Sequence, residues 1–106
     1  MGGKVILHLC VEVTGEKRQE FIKFLRRAVP FYEQPGGILV RLLADQSNPN
    51  RLIEEIEYDD HETYERDQQR VESDQAMIEY LKEWRGLLSK PPVVMVYRDF
   101  SDRVRK

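Results

Sequence analysis

The stretch ILVRLLADQSNPNRLIEEIEY, residues 38–58, decides the fold. Its first part, Ile38 to Ala44, is short and densely apolar, and its middle, Gln46-Ser47-Asn48-Pro49-Asn50, consists of turn formers. Its last part, Arg51 to Tyr58, alternates Leu52, Glu54, Ile56 and Tyr58 with Ile53, Glu55 and Glu57. Two strand patterns joined by a turn segment read as a hairpin. What flanks the hairpin then fixes the architecture.

Upstream, Pro35-Gly36-Gly37 forces a turn, and before it Phe21, Phe24, Leu25, Ala28, Val29 and Tyr32 recur at the three-and-four spacing of one helical face. Pro30 is expected to end or kink that helix. The Thr14 hydroxyl is expected to cap its start, with Glu16 suited to the positive end. Lys4 to Val13, rich in β-branched and aliphatic residues, reads as the first strand. Downstream, Asp59 and Glu62 have the spacing of a capping box for a long helical region reaching about Leu88, with Ser73-Asp74 as a candidate break. Tyr64, Val71, Met77, Ile78, Leu81, Trp84 and Leu88 are expected on its buried side. Pro91-Pro92 stops it, and Val93 to Phe100 reads as the last strand.

The order is βαββαβ. This predicts an α+β, ferredoxin-like domain spanning residues 1–106, with a four-stranded antiparallel sheet, two helices on one face, and residues 101–106 as a short polar tail. A length of 106 residues, 41% of them hydrophobic and 34% charged, suits one core and a well-solvated surface. The formal charge of −2 argues against a dedicated nucleic-acid or anionic-membrane binder, since both need a concentrated positive field. Cys10 is the only cysteine, so an intrachain disulfide and a thiolate-rich metal site are excluded and a reducing compartment fits best. Met1-Gly2-Gly3-Lys4 runs straight into strand pattern without a secretory leader, and the Ser or Thr of a myristoylation signal is missing. The expected location is the cytoplasm.

Strand alternation assigns side chains to faces. Val5, Leu7, Leu9, Val11 and Val13 form an apolar row suited to meet the helices. The opposite row holds Ile6, His8, Cys10 and Glu12, joined by Leu39, Arg41 and Leu43, by Ile53, Glu55 and Glu57, and by Val93, Met95 and Tyr97. So apolar an open face calls for cover, and pairing two sheets in a two-fold homodimer is the simplest solution. A closed space between the sheets would then hold His8, Arg41, Glu55, Glu57 and Tyr97 as a candidate ligand pocket.

In this pattern the chain resembles the dimeric α+β barrel superfamily, to which antibiotic-biosynthesis-monooxygenase-like and haem-degrading monooxygenase proteins belong. The resemblance runs from Lys4 to Phe100. It rests on the βαββαβ order, on Phe21 to Leu25, on the Pro35-Gly36-Gly37 turn, and on the passage from Glu55-Ile56-Glu57-Tyr58-Asp59 to Tyr64. It implies a homodimer and a cleft, between sheet and helices or inside the barrel, for a small aromatic or lipid-like ligand. Haem binding is not carried over: the first strand has no Asn, Tyr58 rather than Trp closes the third, and Asp60-His61 sits at the helix start.

His8 is the sharpest candidate, either as a general base or as a histidine hydrogen-bonded across the dimer interface. Cofactor-free oxygenation needs a base, because a deprotonated, electron-rich substrate reacts with oxygen unaided. Arg41, Glu55 and Glu57 could orient a ligand or neutralise one another across strands. Tyr97 and Tyr58 could donate hydrogen bonds to a bound oxygen atom, or serve simply as strand formers. His8, Cys10 and Glu12 share a strand face, but one strand without a second ligand cluster is a weak metal pattern, so no metal and no cofactor is expected. Trp84 is expected in the core, and His61 and the acidic run along the second helical region on the surface. RNA recognition is disfavoured, since Arg51 to Tyr58 places carboxylates where stacking aromatics and a glycine are needed. The functional expectation is a small cofactor-independent monooxygenase-like enzyme acting on an apolar molecule, the alternative being a non-catalytic ligand-binding or structural homodimer.

Overall fold

The computed structural model describes residues 3–105. The Met1-Gly2 signal reading and the last residue of the tail lie outside them. The elements are β1 (Val5–Glu12), α1 (Arg18–Glu33), β2 (Ile38–Asp45), β3 (Asn48–Tyr58), α2 (His61–Ser73), α3 (Gln75–Gly86) and β4 (Val93–Arg98), followed by a 3-10 turn over Ser101–Val104. The strands form one antiparallel sheet in the order β2-β3-β1-β4, with the helices on one face, as the ferredoxin-like reading expects. Among the described residues no helix is long and apolar enough to cross a membrane.

The register realises the predicted faces. Leu7 opposes Ile56 and Val11 opposes Leu52 on the helix side, while His8 opposes Glu55 and Met95 on the open side. Val11, Val13 and Leu52 are buried against Phe21, Phe24, Leu25, Ala28 and Tyr32 of α1 and Met77 and Trp84 of α3, while Val5, Leu7, Ile38, Ile56 and Tyr58 form a second buried cluster with Tyr64 of α2 against it. Gly36 and Gly37 hold φ of 88° and 74°, the left-handed region where a side chain is strained, so the turn into β2 needs both.

Several local expectations are corrected. Thr14 does not cap α1: residues 15–17 form a turn, closed by the Lys17 N–H on the Thr14 carbonyl at 3.0 Å, and the helix begins afterwards without a side-chain cap. Pro30 does not end α1, which runs on to Glu33, because the stripe Phe24, Ala28 and Tyr32 continues past it into the core. The capping residue of α2 is Asp60 rather than Asp59; its carboxylate accepts the Thr63 N–H at 2.8 Å. The break at Ser73-Asp74 is real, since Asp74 leaves helical geometry and caps α3 by accepting the Met77 N–H at 3.2 Å. In α3 Ile78 is exposed instead of buried, and Leu87, just after the helix, enters the core. β3 starts at Asn48, earlier than Arg51, and β4 stops at Arg98.

Candidate functional site

The sheet presents chemistry on both faces, beginning with two adjacent residues of β3. Because successive side chains alternate, Glu54 points under the helices and Glu55 onto the open face.

On the open face the predicted residues His8, Arg41, Glu55 and Tyr97 are brought together. His8 Nε2 lies 2.9 Å from Glu55 Oε2, and Arg41 Nη1 donates to Glu55 Oε1 at 3.0 Å and Glu57 Oε1 at 3.4 Å. Lys4 Nζ donates to the other Glu57 oxygen at 2.9 Å. The Tyr97 ring meets His8 edge-on, with centroids 5.0 Å apart. The His8 contact, then Arg41, holds the Glu55 carboxyl below its ordinary range, and Lys4 with Arg41 does the same for Glu57. The cluster is therefore a chain of mutually neutralised groups. Around it Leu39, Leu43, Val93, Met95 and Tyr97 are all exposed.

A second depression on this face, about 360 Å³, adjoins Cys10, Glu12, Arg51 and Lys90. Its charges are also paired, Glu12 with Lys90 at 2.8 Å and with Arg51 at 3.7 Å.

Under the helices lies a different site. A cavity of about 230 Å³ is bounded by the sheet residues Leu7, Leu9, Ile56, Val94 and Val96 and by Val71, Met77 and Leu81 of α2 and α3. Its side along β4 is uncovered, with Val94 54% and Val96 51% exposed although both point to the helix side. Its polar groups are few. Glu54, 1% exposed, accepts a hydrogen bond from the Trp84 indole N–H. Burial pushes its carboxyl up to about 7, the indole N–H opposing the shift. The Tyr58 hydroxyl donates to Asp67 Oδ2 at 2.6 Å, and the other Asp67 oxygen lies 3.3 Å from Arg70 Nη2. The Tyr32 hydroxyl, also on the wall, is buried without a hydrogen-bond partner among the described residues, as are Asp67 Oδ1 and Arg70 Nε.

Sequence reading missed Glu54 and Tyr32 as site residues. The signal for Glu54 was present: a lone carboxylate in the row Leu52, Glu54, Ile56, Tyr58 interrupts the side that faces the helices. Trp84 is buried as expected, and it is also the partner of Glu54. His61 is exposed, 3.3 Å from Glu65, as expected.

No protein-family model matches the chain, and no curated protein sequence matches it. Solved structures do match in fold. A conserved protein from Methanosarcina mazei Go1 superposes with a TM-score of 0.76 at 20% identity, over 91% of this chain and 92% of that one. A candidate antibiotic biosynthesis monooxygenase from Nitrosomonas europaea gives 0.76 at 12% identity, over 94% and 93%. SnoaB, a cofactor-independent oxygenase from Streptomyces nogalater, gives 0.71 at 17% identity, over 90% and 91%. The chain thus has the ferredoxin-like α+β fold of antibiotic-biosynthesis-monooxygenase-like proteins, over nearly its whole length. At these identities the likeness is one of fold, and the chemistry has to be argued from the residues.

Proposed function

We propose that the chain binds a small, largely apolar molecule in the cavity between the sheet and helices α2 and α3, and oxygenates it without a cofactor, Glu54 acting as the proton acceptor. The observation that carries this is a buried carboxyl, poised near neutral pH, on the wall of an apolar cavity. Asp67 accepts from Tyr58 and is ion-paired with the Arg70 guanidinium, whereas Glu54 faces a neutral donor, the Trp84 indole. An apolar cavity of about 150 Å³ holds benzene, so about 230 Å³ suits one ring with substituents or two fused rings. The fold likeness to a cofactor-independent oxygenase supports the reaction type.

The chemistry follows from what the residues offer. The Glu54 carboxylate takes the proton of a ring hydroxyl on the bound molecule, and the resulting electron-rich anion passes an electron to O2. Recombination at a ring carbon that bears hydrogen forms a carbon–peroxide bond, Glu54 returns its proton to the peroxide, and loss of water leaves a carbonyl. One oxygen atom ends in the product and the other in water, with the substrate supplying the electrons. The apolar walls of Leu7, Leu9, Ile56 and Met77 offer the anion no proton donor.

The open face is proposed to pair with that of a second copy, covering the exposed Leu39, Leu43, Met95 and Tyr97. His8, Arg41 and Glu55 would then set the register of that contact. Oxygen uptake with a panel of phenols, hydroquinones and anthrones separates the two faces. Glu54→Gln is expected to lower uptake by roughly 10²–10⁴-fold and His8→Ala to change it only a few-fold. The opposite ranking would move the base to His8.

A further inference from the structure

Tyr32 has no structural reason to keep its hydroxyl. It sits in the last turn of α1, 8% exposed, with its ring edge-on to Tyr80 at 6.1 Å and its backbone carbonyl fixed by Arg70 Nη2 at 2.9 Å. The ring fills core space that a phenylalanine would fill equally well. Yet its hydroxyl is buried, lacks a hydrogen-bond partner among the described residues, as do Asp67 Oδ1 and Arg70 Nε, and belongs to the wall of the cavity that Glu54 and Asp67 also line. An unsatisfied buried hydroxyl is costly, and such groups are rare unless a ligand or a water completes them.

Building on the cavity being the ligand site, we infer that Tyr32 is a ligand-positioning residue, and that the site selects a ring bearing a hydroxyl at its buried end. A hydroxyl is the one simple group that serves both wall groups at once: its oxygen accepts from Tyr32 Oη while its O–H donates to the Glu54 carboxylate. An ether or ketone oxygen serves Tyr32 alone, and a methyl group serves neither. Burial and the nearby Glu54 charge raise the Tyr32 hydroxyl above its ordinary pKa, so it stays a donor across the working pH range. The other groups facing it are Tyr80 from α3 and Arg70 and Asp67 from α2. The pairing also orders the ligand, placing its hydroxyl-bearing end deep and its opposite end toward the uncovered side at Val94 and Val96.

The test uses p-cresol and p-xylene, which differ only by hydroxyl against methyl, titrated calorimetrically into the purified wild type and into Tyr32→Phe. In the wild type p-cresol is expected to bind roughly tenfold or more tightly than p-xylene. In Tyr32→Phe that preference is expected to shrink by at least about fivefold while p-xylene affinity is unchanged. A preference that survives in the variant overturns the role of Tyr32 while leaving the cavity as a binding site. Absence of binding by both compounds overturns the cavity reading itself, and this inference with it. A separate readout comes from chemical denaturation without ligand, where Tyr32→Phe is expected to be as stable as the wild type or more so. A clear loss of stability would mean that the hydroxyl has a structural partner and is not held for a ligand.

Discussion

Glu54 and Glu55 are neighbours in sequence with opposite physical fates. Burial raises Glu54 to about 7, so between the unfolded carboxyl value near 4.5 and 7 the folded protein holds a proton that the unfolded chain has released. Stability from this group is therefore full below about pH 4.5 and is lost as pH rises through 7, a span worth about 3 kcal/mol. Glu55 and Glu57 work the other way: their depressed values stabilise the fold above the ordinary carboxyl range and lose that contribution in acid. Glu54→Gln should accordingly flatten the urea stability profile between pH 5 and 8 and raise stability at pH 8; an unchanged slope would show that Glu54 is not the titrating group. Trp84→Phe removes the indole donor to Glu54 and should cost roughly 1–3 kcal/mol at pH 8. The pairing of Arg41 with Glu55 and Glu57 was legible from alternation, and so was the face of Glu54 in the row Leu52, Glu54, Ile56, Tyr58; its burial beside Trp84 was not, because that depends on where α3 packs.

At the scale of elements, the strands and the two helical regions were legible because their periods are clean, and the break at Ser73-Asp74 was legible because Ser and Asp compete with the helix for its backbone. Caps were less legible: Asp59 and Asp60 are both acids at the right place, and only the backbone turn decides which one bonds Thr63. Pro30 was misleading because propensity yielded to burial of Ala28 and Tyr32 on either side of it. Asp74 has a functional consequence, since it starts the helix that carries Met77, Leu81 and Trp84 into the cavity wall. Asp74→Ala should cost about 1 kcal/mol, seen as a drop in Tm of roughly 4–8 °C, and should weaken ligand binding. A normal Tm would mean that the break is held by α2 alone.

For the whole molecule, the open sheet face was read correctly from alternation as half apolar, and it is exposed in the single chain. Met95, mid-strand in β4 and opposite His8, is at its centre. Met95→Lys should convert a dimer to a folded monomer in sedimentation equilibrium, while a dimer that persists would place the contact elsewhere. What alternation did not disclose was the second concavity, because it arises from how α2 and α3 stand off the sheet along β4, a tertiary spacing that no local pattern encodes. The small molecule is proposed to sit under the helices beside Glu54 and not on the open face beside His8. The most direct test is a crystal soaked with 4-bromophenol, located by the anomalous scattering of its bromine. One bromine peak is expected between the sheet and α2 and α3, near Val94 and Val96, with the phenol oxygen at Tyr32 and Glu54; a peak beside His8 and Tyr97, or no ordered bromine at all, would contradict that placement.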